Sequence, residues 1–154
     1  MFRISRRLDY GVQLMVALAA EEENRPIPTA ALAEKLEIPL PFLHQIAHTL
    51  MQSGLIKASP GPRGGLRLSQ PAETISLMRI SETLEGPICL NPCLECGEEC
   101  PRQTTCTAMP IWDHLQDLIV KYLDSVHLDA LLAQPESAKK IFDITEMADK
   151  LKLN

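Results

Sequence analysis

The strongest constraint on this chain is a pair of short helices joined by a tight turn. Apolar residues at helical spacing predict one helix over Ala30–Leu36, with Thr29 as its N-cap. They predict the next helix from about Pro41 to Ser53, since proline suits the first helical turn. The intervening Glu37-Ile38-Pro39 predicts the turn. Two such helices form a helix-turn-helix.

A β-hairpin is predicted directly after this pair of helices. Two short apolar strands, 55–59 and 66–69, flank a tip rich in glycine and proline. A hairpin in this position is a wing. Arg63 lies at its tip and Arg67 on its second strand, and an arginine on a narrow loop suits the minor groove of DNA. We therefore expect a winged helix-turn-helix.

Three further helices complete the predicted fold, which is mainly α with a small β-hairpin wing. The first runs from Ser5 through Ala20, and a short connecting helix covers Leu77–Glu85. A long helix opens near Pro110, and its sustained apolar stripe is typical of a dimerisation helix packing against a second copy. The expected regions are the winged helix-turn-helix (1–70), the connecting helix (71–86), a cysteine loop (87–108), the dimerisation helix (109–127) and a C-terminal helical tail (128–154).

Each of these helices should bury one apolar face. On the first helix the predicted stripe is Leu8, Val12, Met15, Val16 and Ala19. On the connecting helix it is Leu77, Ile80 and Leu84.

Charge is unevenly distributed along the chain. The net charge is −5, yet residues 1–70 carry eight Lys/Arg against six Asp/Glu, and the remainder carries seven against fourteen. The front of the chain can therefore meet phosphates. No apolar run approaches the ~20 residues of a membrane span, and no secretory signal is visible. We expect a cytoplasmic protein with no membrane partner.

The predicted recognition helix, 41–53, would enter the major groove of double-stranded DNA. His44, Gln45, His48 and Thr49 would point outward, and glutamine can read adenine through two hydrogen bonds. This helix has no lysine or arginine, so phosphate contacts must come from elsewhere. Two subunits would read a near-palindromic operator with half-sites ~34 Å apart or a multiple. The full predicted DNA-contacting set is Arg3, Arg6, Arg7, Thr29, Pro41, His44, Gln45, His48, Thr49, Lys57, Arg63 and Arg67.

All five cysteines fall within 18 residues, at Cys89, Cys93, Cys96, Cys100 and Cys106. In a cytosolic chain such a cluster indicates metal binding or redox chemistry before it indicates disulfides. Thiolates suit zinc and iron–sulfur clusters. Ligand chemistry alone leaves both open, with a metal-free group of reduced thiols as a third alternative.

The chain up to about residue 133 resembles the Rrf-type winged-helix transcription regulators, in particular their cluster-binding IscR-like, NsrR-like and RirA-like branch. The spacing of Cys93, Cys100 and Cys106, with Trp112 six positions on, resembles the three-cysteine signature of those members. The other matching segments are Ile4-Ser5, Asp9-Tyr10-Gly11, Leu43-x-Gln45-Ile46, Leu50, Ser53-Gly54-Leu55-Ile56 and Gly61-Pro62-Arg63-Gly64-Gly65-Leu66-x-Leu68.

The resemblance implies that Cys93, Cys100 and Cys106 hold an iron–sulfur cluster, with 4Fe–4S favoured over 2Fe–2S. The fourth ligand of IscR-like members is a histidine three residues after the last cysteine, where this chain has Met109. The fourth ligand of NsrR-like members is an aspartate from the other subunit, which corresponds here to Asp9. Cys96 is the rival fourth ligand, and Cys89 is expected to lie outside the cluster.

We therefore expect a homodimeric iron–sulfur-cluster-dependent transcription regulator, a repressor in preference to an activator, that senses iron, redox state or nitric oxide. The alternatives are a zinc-stapled or thiol-based winged-helix regulator without a cluster, or an electron-transfer protein. An electron carrier would need no wing. An enzyme is not expected, because the sequence offers neither a nucleophile paired with a base nor a phosphate-binding glycine loop.

Overall fold

The computed structural model describes residues 3–94 and 105–132 of the 154-residue chain. Within those residues it is mainly helical with one antiparallel two-stranded sheet, as predicted. The helices and strands are α1 (Arg6–Ala19), α2 (Thr29–Lys35), α3 (Leu40–Gln52), β1 (Ile56–Ser59), β2 (Gly65–Leu68), α4 (Leu77–Glu85) and α5 (Met109–Ser125). Short 3-10 helices cover Glu22–Asn24, Ala72–Thr74, Pro92–Leu94 and Leu128–Leu132.

Helix α1 lies at the centre of the domain, packed against α3, α4, β2 and the 3-10 helix Leu128–Leu132. The Ser5 hydroxyl caps it by accepting a hydrogen bond from the Leu8 amide at 3.0 Å. The predicted stripe was wrong in part, because of its five members only Met15 is fully buried. Leu14 and Leu18 form the buried centre of the helix, and the other predicted residues are half-buried around it. A helix surrounded on several sides buries more than the single face that its periodicity suggests.

The cap of α2 differs from the prediction. Pro28 takes the non-helical N-cap position, and Thr29 is the first helical residue with no side-chain cap hydrogen bond. The fixed φ of proline suits this position, and the Pro28 carbonyl accepts from the Leu32 amide at 3.1 Å. The following turn is as predicted: Glu37 has a positive φ of 55°, and Ile38 is buried.

Helix α3 packs its apolar side on α1. Leu43, Ile46 and Leu50 are fully buried, whereas Phe42 is half-buried in an edge-on ring contact with Tyr10 at a centroid distance of 5.7 Å. Gly54, with a φ of 73°, follows the end of the helix. The residues on the opposite side of α3 are exposed.

The hairpin is fixed to the domain by the segment before α2. Ile56 pairs with Leu68 and Lys57 with Arg67, so both basic residues share one face of the sheet. Ile27 exchanges two backbone hydrogen bonds with Leu66, each of 2.9 Å. This third segment packs against β2 so closely that a Cβ on Gly65 would collide with the Ile27 carbonyl.

Replacing Gly65 by alanine is expected to lower the free energy of unfolding by about 1–3 kcal/mol, the usual cost of overpacking. The collision is with backbone, which cannot rotate away as a side chain would. Chemical denaturation with circular dichroism measures the change. Ala58→Ser is the matched control, since it adds one heavy atom at an exposed position of the adjacent strand. Equal stability of the two variants would contradict the close approach.

Helix α4 has the predicted boundaries and is capped by Ser76, whose hydroxyl oxygen accepts from the Arg79 amide at 3.3 Å. The same hydroxyl donates to Asp124 Oδ1 on α5 at 3.1 Å. Leu77, predicted to be buried with Ile80 and Leu84, is only half-buried. The predicted C-terminal helical tail (128–154) begins with a 3-10 helix over Leu128–Leu132, and the rest of it lies outside the described residues.

Helix α5 has an apolar stripe but no buried residue within this single chain. Ile111 is 64% exposed and Trp112 38% exposed at its start. Leu115, Leu118 and Ile119 are half-buried. The stripe is therefore incompletely covered by the chain's own residues.

Candidate DNA-binding interface and cysteine loop

The outer side of α3 presents three polar side chains. His44, Gln45 and His48 are exposed, at the spacing of adjacent turns of one helix face. They line an open groove of about 510 Å³. Pro41 is also exposed, at the start of the helix. The structure thus brings most of the sequence-predicted reading residues together on one surface.

Thr49 and Arg7 complete that groove in a way that the sequence did not indicate. Arg7 Nη2 donates to Thr49 Oγ1 at 3.0 Å, and the Thr49 hydroxyl donates to the Gln45 carbonyl at 3.2 Å. Both side chains are half-buried. Thr49, predicted to be an outward reader, has its hydroxyl engaged within the domain. No pattern in the sequence indicates a contact between residues 42 positions apart.

The other predicted cationic contacts differ in exposure. Arg3, Arg6, Lys57 and Arg63 are exposed, with Arg63 at the tip of the wing. Arg67 is half-buried, and its Nε is buried without a hydrogen-bond partner among the described residues. The first four are therefore free to meet phosphates, and Arg67 can do so only through the outer end of its guanidinium.

The cysteine loop connects α4 to α5, and the structure describes its two ends. Cys93, in the 3-10 helix Pro92–Leu94 that packs against α5, and Cys106, three residues before α5, are half-buried reduced thiols. The Cys89 thiol donates to the Asn91 carbonyl at 3.0 Å. Cys96 and Cys100 lie outside the described residues, and the described residues by themselves contain no group of three potential metal ligands.

The proposed aspartate ligand lies on α1. Asp9 is exposed, and its Oδ2 accepts a hydrogen bond from Gln13 Nε2 at 3.0 Å, one turn further along the helix. This bond orients the carboxylate and leaves its second oxygen accessible. Asp9 can therefore be reached by a group outside this chain.

The donor set fits an iron–sulfur cluster in its chemistry. Thiolates are the usual ligands of such clusters, and reduced, half-buried thiols at both ends of the loop can bind one. Cys93, Cys100 and Cys106 would hold the group, and a carboxylate or a fourth thiolate would complete it. When bound, a cluster supplies redox chemistry and reactivity toward oxygen and nitric oxide.

Two polar contacts near the loop were also missed by sequence reasoning. Gln116 Oε1 on α5 accepts from the Leu90 amide at 3.0 Å. The Ser5 hydroxyl, which caps α1, donates to Glu85 Oε1 at the end of α4 at 2.8 Å. Both partners are ordinary polar residues of surface helices, and nothing in their spacing singles them out.

A helix-turn-helix with an exposed recognition helix, followed by a hairpin with an arginine at its tip, defines a winged-helix DNA-binding protein. The chain belongs to the Rrf2 family, described as iron-dependent transcriptional regulators, whose model matches residues 4–134. Like its relatives, it is a transcription regulator and not an enzyme. No helix among residues 3–94 and 105–132 could cross a membrane.

Named relatives cover most of the chain. The HTH-type transcriptional regulator IscR of Vibrio vulnificus is 28% identical over 140 residues, which is 91% of this chain and 80% of the relative. The solved structure of IscR from T. potens has a TM-score of 0.72 at 26% identity and covers 89% of this chain and 90% of its own. CymR, the global cysteine regulator of B. subtilis, has a TM-score of 0.71 at 29% identity, covering 86% of this chain and 97% of its own. The resemblance inferred from the sequence is confirmed at the level of the family.

Proposed function

We propose that this protein is a homodimeric repressor in the cytoplasm whose DNA binding depends on an iron–sulfur cluster held by Cys93, Cys100 and Cys106. One observation carries the proposal: all five cysteines of a winged-helix regulator lie in the single loop between α4 and α5. Such a loop has no need of five thiols for packing. Thiolates grouped at this density are typical of a bound metal.

The loop is placed where its state can affect the whole molecule. Its start is bonded to α5 through the Leu90 amide and Gln116, and its end runs directly into α5. Helix α4, which precedes it, packs against both α1 and α3. Gain or loss of a group on the loop would therefore shift the equilibrium between two arrangements of the DNA-reading elements.

The homodimer is supported by the uncovered stripe of α5. Ile111 and Trp112 expose large apolar surfaces, and the same helix buries no side chain fully within its own chain. A second copy of α5 is the partner that symmetry favours. Dimerisation would also allow Asp9 of one subunit to reach the loop of the other, with Cys96 as the alternative fourth ligand.

Sensing follows from the proposed ligand set. Three thiolates leave one iron of a 4Fe–4S cluster to a weaker ligand, and carboxylate is a harder, less suitable partner for this site than thiolate. Such an iron is the natural point of attack by oxygen or nitric oxide and the first to be lost when iron is scarce. The proposal therefore covers iron, redox and nitric-oxide signals.

The experiment that tests the cofactor is anaerobic purification followed by visible spectroscopy with iron, sulfide and zinc analysis. Brown protein with about four irons and four sulfides per chain, whose operator affinity changes when the cluster is removed, supports the proposal. Colourless protein with one zinc per chain would instead indicate a structural staple.

A thiol-based regulator is the second candidate, favoured by the likeness to CymR and by the half-buried thiols of Cys93 and Cys106. Metal-free protein whose DNA binding responds reversibly to a mild oxidant, with disulfides found by mass spectrometry, would support it. The same protein preparation distinguishes the two candidates, since a cluster is detected before any oxidant is added.

DNA contacts by the wing and by α3 should differ in kind. Arg63→Ala is expected to weaken binding to all sequences, because one phosphate or minor-groove contact is lost. For the same reason, the slope of log affinity against log salt concentration (the salt slope) should fall by about one. Gln45→Ala is expected to relax sequence preference at one position, worth about 1–3 kcal/mol, with the slope unchanged. Fluorescence anisotropy on a selected operator measures both.

The control for this comparison is Arg25→Ala. Arg25 is exposed and already forms an ion pair with Glu23, and it lies outside the predicted contact set. Its removal should leave affinity and salt slope unchanged. Unchanged binding by both Arg63→Ala and Gln45→Ala would reject the proposed reading surface.

A further inference from the structure

The groove beside the recognition helix includes a side chain from a different helix. Arg7 of α1 lines it together with His44, Gln45 and His48 of α3. Helix α3 has no lysine or arginine of its own. Among the described residues that line this groove, Arg7 alone carries a permanent positive charge.

Arg7 is held in the groove by a hydrogen bond. Its Nη2 donates to Thr49 Oγ1 at 3.0 Å, while the Thr49 hydroxyl hydrogen is given to the Gln45 carbonyl at 3.2 Å. The threonine oxygen is thereby turned toward the guanidinium. One of the five N–H donors of Arg7 is used in this way, and no carboxylate of the described residues forms an ion pair with it. Arg6, the preceding residue, is exposed, and its side chain makes none of the side-chain hydrogen bonds found among the described residues.

We infer that Arg7 is a base-reading residue that selects guanine in the major groove, and that Thr49 positions it. The inference rests on the proposed reading surface of α3 and extends it to α1. Arginine bonded to guanine O6 and N7 is the commonest base-specific contact in protein–DNA complexes. Fixing a long side chain before binding reduces the conformational entropy that it loses on the DNA.

A phosphate contact alone would not require this arrangement. Phosphates are met by flexible cations at the edge of an interface, as exposed Arg6 could do. Arg7 instead shares its groove with the candidate base readers and is bonded to the turn of α3 that follows Gln45. The remaining N–H donors of Arg7 and the side-chain amide of Gln45 would hydrogen-bond to neighbouring base pairs.

The test is operator selection from randomised half-sites, followed by titration of the selected site and of copies with each guanine replaced. Arg7→Ala is expected to lose about tenfold to a hundredfold of preference for guanine at one position per half-site, the worth of one bidentate contact. Arg7→Lys keeps the charge but lacks the planar fork, so it should lose the same preference with an unchanged salt slope. Arg6→Ala, the matched control, should weaken all sequences equally and lower the slope by about one.

The role of Thr49 is tested by two further variants. Thr49→Val removes the acceptor at similar shape and should reduce the same guanine preference, with no further effect in an Arg7→Ala background. Thr49→Ser keeps the hydroxyl and should restore the preference. Circular dichroism confirms that each variant is folded.

Two results would overturn the inference. If Arg7→Ala weakened every sequence equally and lowered the salt slope as Arg6→Ala does, Arg7 would be a phosphate contact. If Thr49→Val and Arg7→Ala were additive, Thr49 would not position Arg7. Loss of sequence preference in Arg7→Ala but not in Gln45→Ala would reject the proposed role of Gln45 and leave this inference standing.

Discussion

Replacing Cys93 by alanine is expected to remove the cluster and with it the dependence of DNA binding on cluster state. Loss of a group that only hydrogen-bonds to a metal ligand usually lowers metal affinity by about 10-fold to 100-fold. Loss of a thiolate ligand itself should therefore lower it at least as much. Iron and sulfide bound per chain should therefore fall by more than about tenfold. Anaerobic purification with absorbance and metal analysis measures this, and Cys100→Ala and Cys106→Ala should behave alike.

Cys89→Ala is the matched control, since it removes a thiol of the same loop that is expected to lie outside the cluster. Its thiol already donates to the Asn91 carbonyl, so a local structural role accounts for it. The variant should retain iron, sulfide and spectrum. Loss of the cluster in Cys89→Ala with retention in Cys93→Ala would contradict the assignment.

The fourth ligand is identified by comparing Asp9→Ala with Cys96→Ala. If Asp9 is the ligand, Asp9→Ala alters the spectrum and the DNA response, whereas Cys96→Ala leaves both unchanged. The reverse result would make the site a four-cysteine loop within one subunit. Gln13→Ala tests the orientation of the carboxylate, because Gln13 holds one of its oxygens at 3.0 Å.

The elements that the sequence predicted well are those specified by local signals. The boundaries of α4 follow from the Ser76 cap and Gly86, and the wing follows from two apolar strands around a glycine-rich tip. Both signals act over a few residues, so they are readable without knowledge of the fold. The Thr29 cap failed for a local reason too, because Pro28 competes for the same position.

Contacts between distant segments could not be predicted. The buried centre of α1 depends on helices that surround it, and the Arg7–Thr49 bond joins two helices through the tertiary fold. Similarly, the sequence predicted which polar residues of α3 face outward but not that Thr49 is engaged. Local patterns therefore predicted which polar side chains of α3 are exposed, while the hydrogen bonds among them and with α1 required the structure.

The double substitution Leu115→Glu and Leu118→Glu is expected to convert the proposed dimer into monomers. Both leucines belong to the stripe of α5 that the single chain leaves half-covered. In a symmetric dimer the change would bury four unpaired carboxylates, each of which costs several kcal/mol. The dimer should weaken by more than about a hundredfold, since each 1.4 kcal/mol is a factor of about ten.

Sedimentation velocity over a range of concentrations measures this dissociation, and circular dichroism confirms that helix content is kept. His114→Glu with Lys121→Glu is the matched control, because it places two glutamates on exposed positions of the same helix. That variant should remain dimeric. Monomers formed by Leu115→Glu and Leu118→Glu should also lose the preference for the full operator over a single half-site, because the two reading helices would no longer be linked. A folded dimer in the leucine variant would place the interface elsewhere.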